Sequence, residues 1–198
     1  MKTKKMLSLE ESLKILRETN ALLEGHFILS SGLHSPQYIQ CAQLMSKPDK
    51  ASKICVSLTE KIKDNFKEFD LILSPAMGGV LIGYEIGRLL KKETIFSERV
   101  DGKFLLRRGF TIKKNQKVLI IEDVITTGKS SLECSKLILE NQAFVAGYAC
   151  IIDRSNDNSL IKEKIISQVR LNIPTYTKKN LPENLLSIKA IKPGSRDL

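Results

Sequence analysis

Two adjacent acids followed by hydroxyl side chains and a glycine form the segment of this sequence best suited to chemistry. Residues 118–131 read VLIIEDVITTGKSS, in which an apolar strand ends at Glu122 and Asp123 and a polar loop then opens a helix. Helix N-termini present free amides and the positive end of the helix dipole, so they bind phosphate. Successive strand residues point to opposite sides, so the two acids cannot share one face of the sheet. The arrangement suits a ligand whose phosphate lies next to vicinal hydroxyls or a metal ion, as in a sugar phosphate.

Two other phosphate-binding motifs are matched only in part. Gly128-Lys129-Ser130 resembles the end of a P-loop, but Asp123 stands where that motif needs its first glycine. Residues 78–83 (GGVLIG) resemble a dinucleotide fingerprint, but Val80 stands where the second glycine is required. Glycines that recur every four residues from Gly79 onward instead predict a helix face packed closely against a sheet.

Strands and helices alternate along the chain from about residue 70 onward. We predict strands at 71–73, 94–96, 104–106, 117–121 and 145–152, and helices at about 80–90 and 130–141. Residues 100–103 (VDGK) predict a hairpin turn. Continuous apolar strands separated by helices are typical of a parallel sheet covered on both faces. The sequence therefore predicts an α/β fold.

The first 65 residues or so predict a small subdomain of helices and loops. Ser8 and Glu11 form a capping box at the start of a helix that ends before Gly25. Residues 30–36 (SSGLHSP) hold too many turn-forming residues for regular structure. A second helix is predicted to begin at Pro48, because proline is tolerated in the first turn.

The net charge of the chain narrows the classes of partner. The 198 residues include 32 Lys and Arg against 22 Asp and Glu, which gives a formal charge of +10. Because the lysines are dispersed, we interpret them as a solvated surface that favours a polyanionic small substrate, and we do not expect a nucleic-acid-binding face. No apolar run approaches the ~20 residues of a membrane span, and the basic N-terminus lacks a signal-peptide core. We therefore expect a cytoplasmic protein without a membrane partner.

The cysteines and histidines show no metal-binding spacing. The cysteines are Cys41, Cys55, Cys134 and Cys150. None forms a Cys-x-x-Cys pair, so buried reduced thiols are a better interpretation than a zinc site. His26 and His34 are interpreted as a turn residue and a hydrogen-bond donor in a loop.

Residues 118–130 resemble the signature of the type I phosphoribosyltransferases, in which hydrophobic residues precede two acids and a threonine- and glycine-containing turn follows. Other segments are similar to the orotate phosphoribosyltransferase family: residues 27–38 (FILSSGLHSPQY), 74–79 (SPAMGG), 96–99 (FSER) and 152–154 (IDR). The resemblance spans about residues 8–176. It implies a mostly parallel sheet flanked by helices, with a small N-terminal helical or hood subdomain.

The resemblance also implies a reaction and the residues that carry it. Orotate would be joined to phosphoribosyl pyrophosphate (PRPP) with Mg²⁺, giving orotidine 5′-phosphate and pyrophosphate. The implied catalytic residues are Asp123, Glu122, Lys103 and Arg99. The implied PRPP contacts are Ala76, Met77, Gly78, Gly79, Arg99, Lys103, Glu122, Asp123, Val124, Ile125, Thr126, Thr127, Gly128, Lys129 and Ser130. The implied orotate contacts are Thr126, Arg154 and Tyr38. No dedicated metal site is implied, because PRPP would hold most of the magnesium, near Asp123.

The resemblance further implies how the chain is organised. It implies a homodimer in which a mobile loop is shared across the interface. Residues 1–66 would be the N-terminal helical and hood segment of a single domain, residues 67–176 its PRPP-binding core and residues 177–198 a C-terminal tail. The best-studied branch of the family has lysine at the positions of Ser30 and Gly78. Its longer loop carries a second lysine and a histidine, to which Val100 and Leu105 correspond most nearly.

Alternatives remain open at the level of the sequence. The same acid pair would serve a phosphoribosyltransferase for a purine base, although that enzyme should lack the segment around Ser31–Pro36. A regulator that keeps the PRPP-binding fold and binds nucleic acid would fit the positive charge, although no added DNA-binding segment is visible. Arg154 has a structural alternative as an ion-pair partner of Asp153, and Lys103 has one as a solvated turn residue.

Overall fold

A six-stranded, mostly parallel sheet forms the centre of the protein, in a computed structural model that describes residues 6–155 and 159–193. The strands along the chain are β1 Leu22–Ile28, β2 His34–Ile39, β3 Leu71–Pro75, β4 Glu93–Val100, β5 Lys103–Leu106, β6 Lys117–Ile125, β7 Phe144–Asp153 and β8 Ile165–Arg170. The order across the central sheet is β5-β4-β3-β6-β7-β8. Only the edge strand β5 runs antiparallel to its neighbour.

Helices cover both faces of this sheet. They are α1 Leu9–Glu18, α2 Cys41–Met45, α3 Pro48–Asn65, α4 Gly78–Leu90, α5 Lys129–Glu140 and α6 Glu183–Leu186. On one face, α3 and α4 bury Ile54 and Ile82 against residues such as Ile121 of β6. On the other face, α5 buries Ile138 against Ile120 of the same strand. The alternation of Ile120 and Ile121 between two cores confirms the predicted α/β fold with a doubly covered sheet.

The N-terminal region contains an antiparallel hairpin, and the prediction of only helices and loops there was wrong. Strands β1 and β2 pair from Leu22 with Ile39 to Ile28 with His34. Gly25 therefore lies inside β1, and β2 begins within the turn-rich segment 30–36. Pro36 is tolerated because it falls where the register shifts, and proline is compatible with bulges and edge strands.

His26 and His34 lie inside this hairpin, so their interpretation as turn and loop residues was wrong. Both side chains are buried, and His26 Nε2 lies 2.6 Å from His34 Nδ1. His26 Nδ1 lies 2.9 Å from the Ile188 carbonyl oxygen. The Ile28 amide donates to the Ile191 carbonyl at 2.8 Å. The C-terminal segment is thereby joined to the hairpin.

Several local predictions are confirmed. Ser8 and Glu11 form the reciprocal capping box, and Pro48 occupies the first turn of α3. The predicted glycine face of α4 packs closely on the sheet, since a Cβ atom at Gly79 would lie 3.1 Å from the Ile121 carbonyl oxygen. All four cysteines are buried thiols without disulfides. None of the helices in the described part of the chain combines the length and apolarity needed to cross a membrane.

Candidate active site

The acid pair lies at the carboxyl edge of the sheet, where β6 ends and α5 begins. The implied PRPP contacts Val124 and Ile125 complete β6, Thr126 and Thr127 form an exposed turn, and Gly128 caps α5 with φ +78°. Its first helical hydrogen bond runs from the Leu132 amide to the Gly128 carbonyl at 2.9 Å. The amides before Leu132, including those of Lys129 and Ser130, have no intrahelical acceptor. The chain thus brings an anion-binding helix end beside the two carboxylates.

The two acids point to opposite faces of β6, as strand geometry requires. Glu122 faces α5 and accepts a hydrogen bond from the buried Ser131 hydroxyl. Asp123 faces the start of α4, where a Cβ atom added to Gly78 would lie 2.5 Å from Asp123 Oδ2. The Asp123 carboxylate therefore occupies the space that a side chain at position 78 would fill.

Burial raises the pKa of both acids. Desolvation raises the pKa of Glu122 from 4.5 to about 7, although the Ser131 hydrogen bond opposes the shift. Burial also raises the pKa of Asp123, while the backbone amides of Val124 and of Asp123 itself lower it. A cation bound beside these groups would lower the pKa of both carboxyl groups, because a nearby opposite charge favours ionisation.

We expect Glu122→Gln to stabilise the ligand-free protein by an amount that grows as the pH rises from about 4.5 to 7 and is complete above pH 7. The folded pKa is near 7 and the unfolded value near 4.5, so stability falls as pH rises between them and stays low above pH 7. The amide removes that loss, on the order of 2 kcal/mol of unfolding free energy at pH 8.5. Urea denaturation at pH 5 and pH 8.5 measures this gain in unfolding free energy, and the exposed Glu140→Gln serves as the control. Equal gains at both pH values would contradict a buried, titrating Glu122.

The polar turn is braced by a segment that sequence reasoning missed. The Leu160 amide donates to the Thr127 carbonyl at 2.9 Å. A Cβ atom at Gly128 would lie 2.7 Å from the Ile161 side chain, so only glycine fits beneath this segment. Nothing in the sequence around Leu160 and Ile161 indicates this role, because the residues that they contact lie more than thirty positions earlier in the chain.

The segment 74–79 forms a second loop beside the acids. The Ala76 amide donates to the Ser97 carbonyl at 2.8 Å, which fixes the loop to β4. The Ala76–Met77 peptide bond is cis, and Met77 precedes α4 with 83 % of its surface exposed. Gly78 and Gly79 open the helix, so its amide end adjoins Asp123.

Arg154 follows β7, next to the end of β6. Its amide donates to the Ile125 carbonyl at 2.8 Å, and its side chain is half-buried. Burial lowers the pKa of the guanidinium, which donates to no carboxylate or carbonyl among the described residues. Asp153 pairs with Arg170, with Nε and Oδ2 3.6 Å apart, and accepts from the Ser155 amide. The structural alternative of an Arg154–Asp153 ion pair is therefore wrong.

Tyr38 lies on β2, near the end of the N-terminal hairpin. Its ring centroid is 5.7 Å from that of Phe27. Three residues later, the Cys41 thiol lies 3.9 Å from the Asp123 carbonyl oxygen. The end of the hairpin therefore approaches the same edge of the sheet.

Lys103 and Arg99 lie on a hairpin at the far edge of the sheet. Val100 pairs with Lys103 across a two-residue turn in which Asp101 and Gly102 both have positive φ, which confirms the predicted hairpin. Strand β5 is three positions from β6, or about 14 Å at the usual strand spacing. The structure thus brings together the acids, both loops and Arg154, but leaves Lys103 apart from them.

The described residues contain no cluster of three His, Cys, Asp or Glu side chains that could hold a metal ion. The available donor at the sheet edge is the Asp123 carboxylate, because Glu122 faces the opposite side of β6 and bonds to Ser131. Magnesium prefers oxygen ligands and is commonly held by one or two carboxylates together with substrate phosphates. The chain therefore fits a magnesium ion that arrives with a phosphorylated substrate.

Comparison with known proteins identifies the family. Residues 48–176 match the phosphoribosyl transferase domain. The orotate phosphoribosyltransferase of Parvibaculum lavamentivorans is 44 % identical over 96 % of this chain and 98 % of its own. The chain belongs to the orotate phosphoribosyltransferase family. A second member, from Rhizorhabdus wittichii, is 46 % identical over 94 % of this chain and 96 % of its own.

The fold agrees with this family. A crystal structure of orotate phosphoribosyltransferase from Aeropyrum pernix superimposes with a TM-score of 0.70 at 23 % identity, covering 80 % of this chain and 92 % of that chain. The type I phosphoribosyltransferase fold implied by residues 118–130 is thereby confirmed.

Proposed function

We propose that the protein transfers the 5-phosphoribosyl group of PRPP to orotate, forming orotidine 5′-phosphate and pyrophosphate for pyrimidine nucleotide synthesis in the cytoplasm. One observation carries the proposal. The Asp123 carboxylate lies in the space above Gly78, so the acid pair, the loop 74–79 and the start of α5 meet at one edge. Ligands of open α/β sheets bind at the carboxyl ends of the strands.

The acid pair favours the transition state in this proposal. Transfer of the ribosyl group develops positive charge on the sugar ring, so catalysis consists of positioning and electrostatic stabilisation. Asp123 holds the ribose hydroxyls from the side of β6 that faces the start of α4. Glu122, buried beneath the turn and bonded to Ser131, adds negative charge behind it.

The two loops bind the two phosphate ends of PRPP. The turn Thr126–Ser130 binds the 5′-phosphate through hydroxyls and the amides at the start of α5. The backbone of Ala76–Gly79 meets the pyrophosphate. Asp123 and substrate oxygens would hold a magnesium ion, which would supply positive charge to offset that of the departing pyrophosphate.

Arg154 supplies the contact that selects orotate. Its half-buried guanidinium has no acceptor among the described residues, and a planar, bidentate donor matches a carboxylate. Thr126 and Tyr38 complete the orotate site. Adenine and other purine bases carry no carboxylate, so this arginine favours orotate over the purine alternative.

The protein acts as a homodimer in this proposal. Each chain is a single domain, in which residues 1–66 form the helical and hood segment, residues 67–176 the PRPP-binding core and residues 177–198 the C-terminal tail. Strand β5, which carries Lys103, lies about 14 Å from β6 in its own chain, which supports a site that Lys103 completes from a second copy. An exposed apolar stripe on and before α4, formed by Met77, Leu81 and Tyr84, supports an interface near the acids.

Mixing two inactive variants tests the shared site. Lys103→Ala and Asp123→Asn should each be poorly active alone. After subunit exchange, about half of the dimers are hybrids with one intact and one doubly damaged site, so activity recovers to about a quarter of wild type. The two variants are refolded together and assayed for orotate consumption. Recovery no greater than the average of the separate variants, despite demonstrated exchange, would place Lys103 in its own chain or outside the reaction.

A substrate panel tests the proposed reaction itself. The purified protein is incubated with orotate, uracil, adenine or hypoxanthine, with and without PRPP and Mg²⁺. We expect consumption of orotate only when PRPP and the divalent cation are both present. Turnover of a purine base without turnover of orotate would contradict the specificity. PRPP binding without turnover of any base would favour a regulator.

A further inference from the structure

The Arg99 guanidinium is held by three contacts within its own chain. Nη2 donates to Glu133 Oε2 at 2.6 Å, and Nη1 donates to the Gly102 carbonyl at 2.5 Å. The guanidinium carbon lies 4.1 Å from the centroid of the Phe104 ring. The resemblance implied that this side chain contacts pyrophosphate, but here a carboxylate of the same chain neutralises its charge.

Glu133 lies on α5, the helix whose N-terminus is proposed to bind the 5′-phosphate of PRPP. Phe104 belongs to the same buried cluster as Cys134 and Ile138 of that helix, so the hairpin backbone is anchored on α5. The Arg99 and Glu133 side chains are 39 % and 26 % exposed, so both remain accessible to a ligand. Release of Arg99 therefore requires only that the ion pair break, while the hairpin can stay packed on α5.

One guanidinium edge cannot bind two anions at once. The planar arginine fork pairs with a carboxylate or with phosphate oxygens, and the strongest geometry in either case is bidentate. A pyrophosphate group that takes the guanidinium edge now facing Glu133 must therefore replace that carboxylate. Breaking the ion pair costs free energy, and this cost weakens the binding of PRPP. A ligand shifts a conformational equilibrium only by the difference between its affinities for the two states.

Building on the proposed function, we propose that Glu133 is a positioning residue that holds Arg99 in a resting conformation. PRPP binds by exchanging the Glu133 carboxylate for its own pyrophosphate oxygens. In the dimer, the released Arg99 serves the neighbouring site, while Glu133 stays on its own α5. Orotate takes no part in this exchange.

The variant Glu133→Gln tests the exchange. It keeps the size of the side chain and removes its charge, so the Kd and the KM for PRPP should both fall about two- to fivefold, as expected for an exposed ion pair. Calorimetric titration with PRPP and Mg²⁺, without orotate, gives the Kd independently of turnover. The KM for orotate should not change. Glu140→Gln, at the other end of α5, makes the same charge change and should leave both values unaltered.

A double-mutant cycle with Arg99→Ala shows whether the effect passes through Arg99. We expect Glu133→Gln to have no effect on PRPP binding once Arg99 is removed. A gain that persists without Arg99, or weaker PRPP binding by Glu133→Gln, would overturn the proposal. Normal PRPP binding by wild type with unchanged values for Glu133→Gln would overturn this inference alone. Failure of the wild-type chain to bind PRPP would overturn the proposed function as well.

Discussion

Replacing Asp123 by asparagine should lower kcat for orotate at least about tenfold, which corresponds to at least about 1.4 kcal/mol of barrier. The carboxylate faces the loop 74–79 and, in the proposed mechanism, a ribosyl ring that becomes positively charged. Asparagine preserves the shape of the side chain, so the fold should survive and only the charge is lost. Steady-state kinetics with saturating PRPP, orotate and Mg²⁺ measure the effect, and thermal denaturation verifies the fold.

Asp70→Asn is a matched control for this substitution. Asp70 precedes β3 at the opposite edge of the same sheet, where its carboxylate accepts from the Lys117 amide at 2.8 Å. The Asp70→Asn substitution makes the same chemical change away from the acid pair, so kcat should stay near the wild-type value. Unchanged kinetics for Asp123→Asn would show that Asp123 does not lie at the ribose.

Replacing Arg154 by alanine should raise the KM for orotate about ten- to hundredfold, the range expected when charge-assisted hydrogen bonds to a carboxylate are lost. The KM for PRPP should change little, because a carboxylate-binding residue acts on one substrate only. The half-buried guanidinium bonds to no described residue, so its removal leaves no protein group unpaired. Initial rates measured against each substrate in turn separate the two constants.

Arg170→Ala is the control for this second substitution. Arg170 is the last residue of the neighbouring strand β8 and pairs with Asp153 through a largely exposed side chain. Its loss should leave both Michaelis constants near the wild-type values. Equal increases of the two constants in Arg154→Ala would indicate that Arg154 organises the site without contacting orotate.

The chemistry of β6 could be predicted from the sequence because it depends on neighbours along the chain. Residues 117–121 form a buried strand by composition, and the acids, threonines and glycine that follow are positioned by that strand and by the helix start. The opposite orientations of Glu122 and Asp123 follow from strand geometry alone. Both orientations are observed, with Ser131 beside one acid and Gly78 beside the other.

The hairpin of β1 and β2 could not be predicted in the same way. Its residues include Gly25 and Pro36, which locally favour turns, and pairing between strands outweighs that local preference. The buried contact between His26 and His34 depends on this pairing, since the two rings meet only when the strands lie side by side. Local sequence carries no signal for such a contact.

The α/β class, the acid pair and the helix start beside it could be predicted from the sequence, because each arises from residues a few positions apart. Which groups face these residues depends on the tertiary structure. It set Gly78 against Asp123, Ile161 against Gly128 and Glu133 against Arg99. Each of these contacts joins segments separated by thirty or more residues, and packing of the sheet and its helices determines which of them meet.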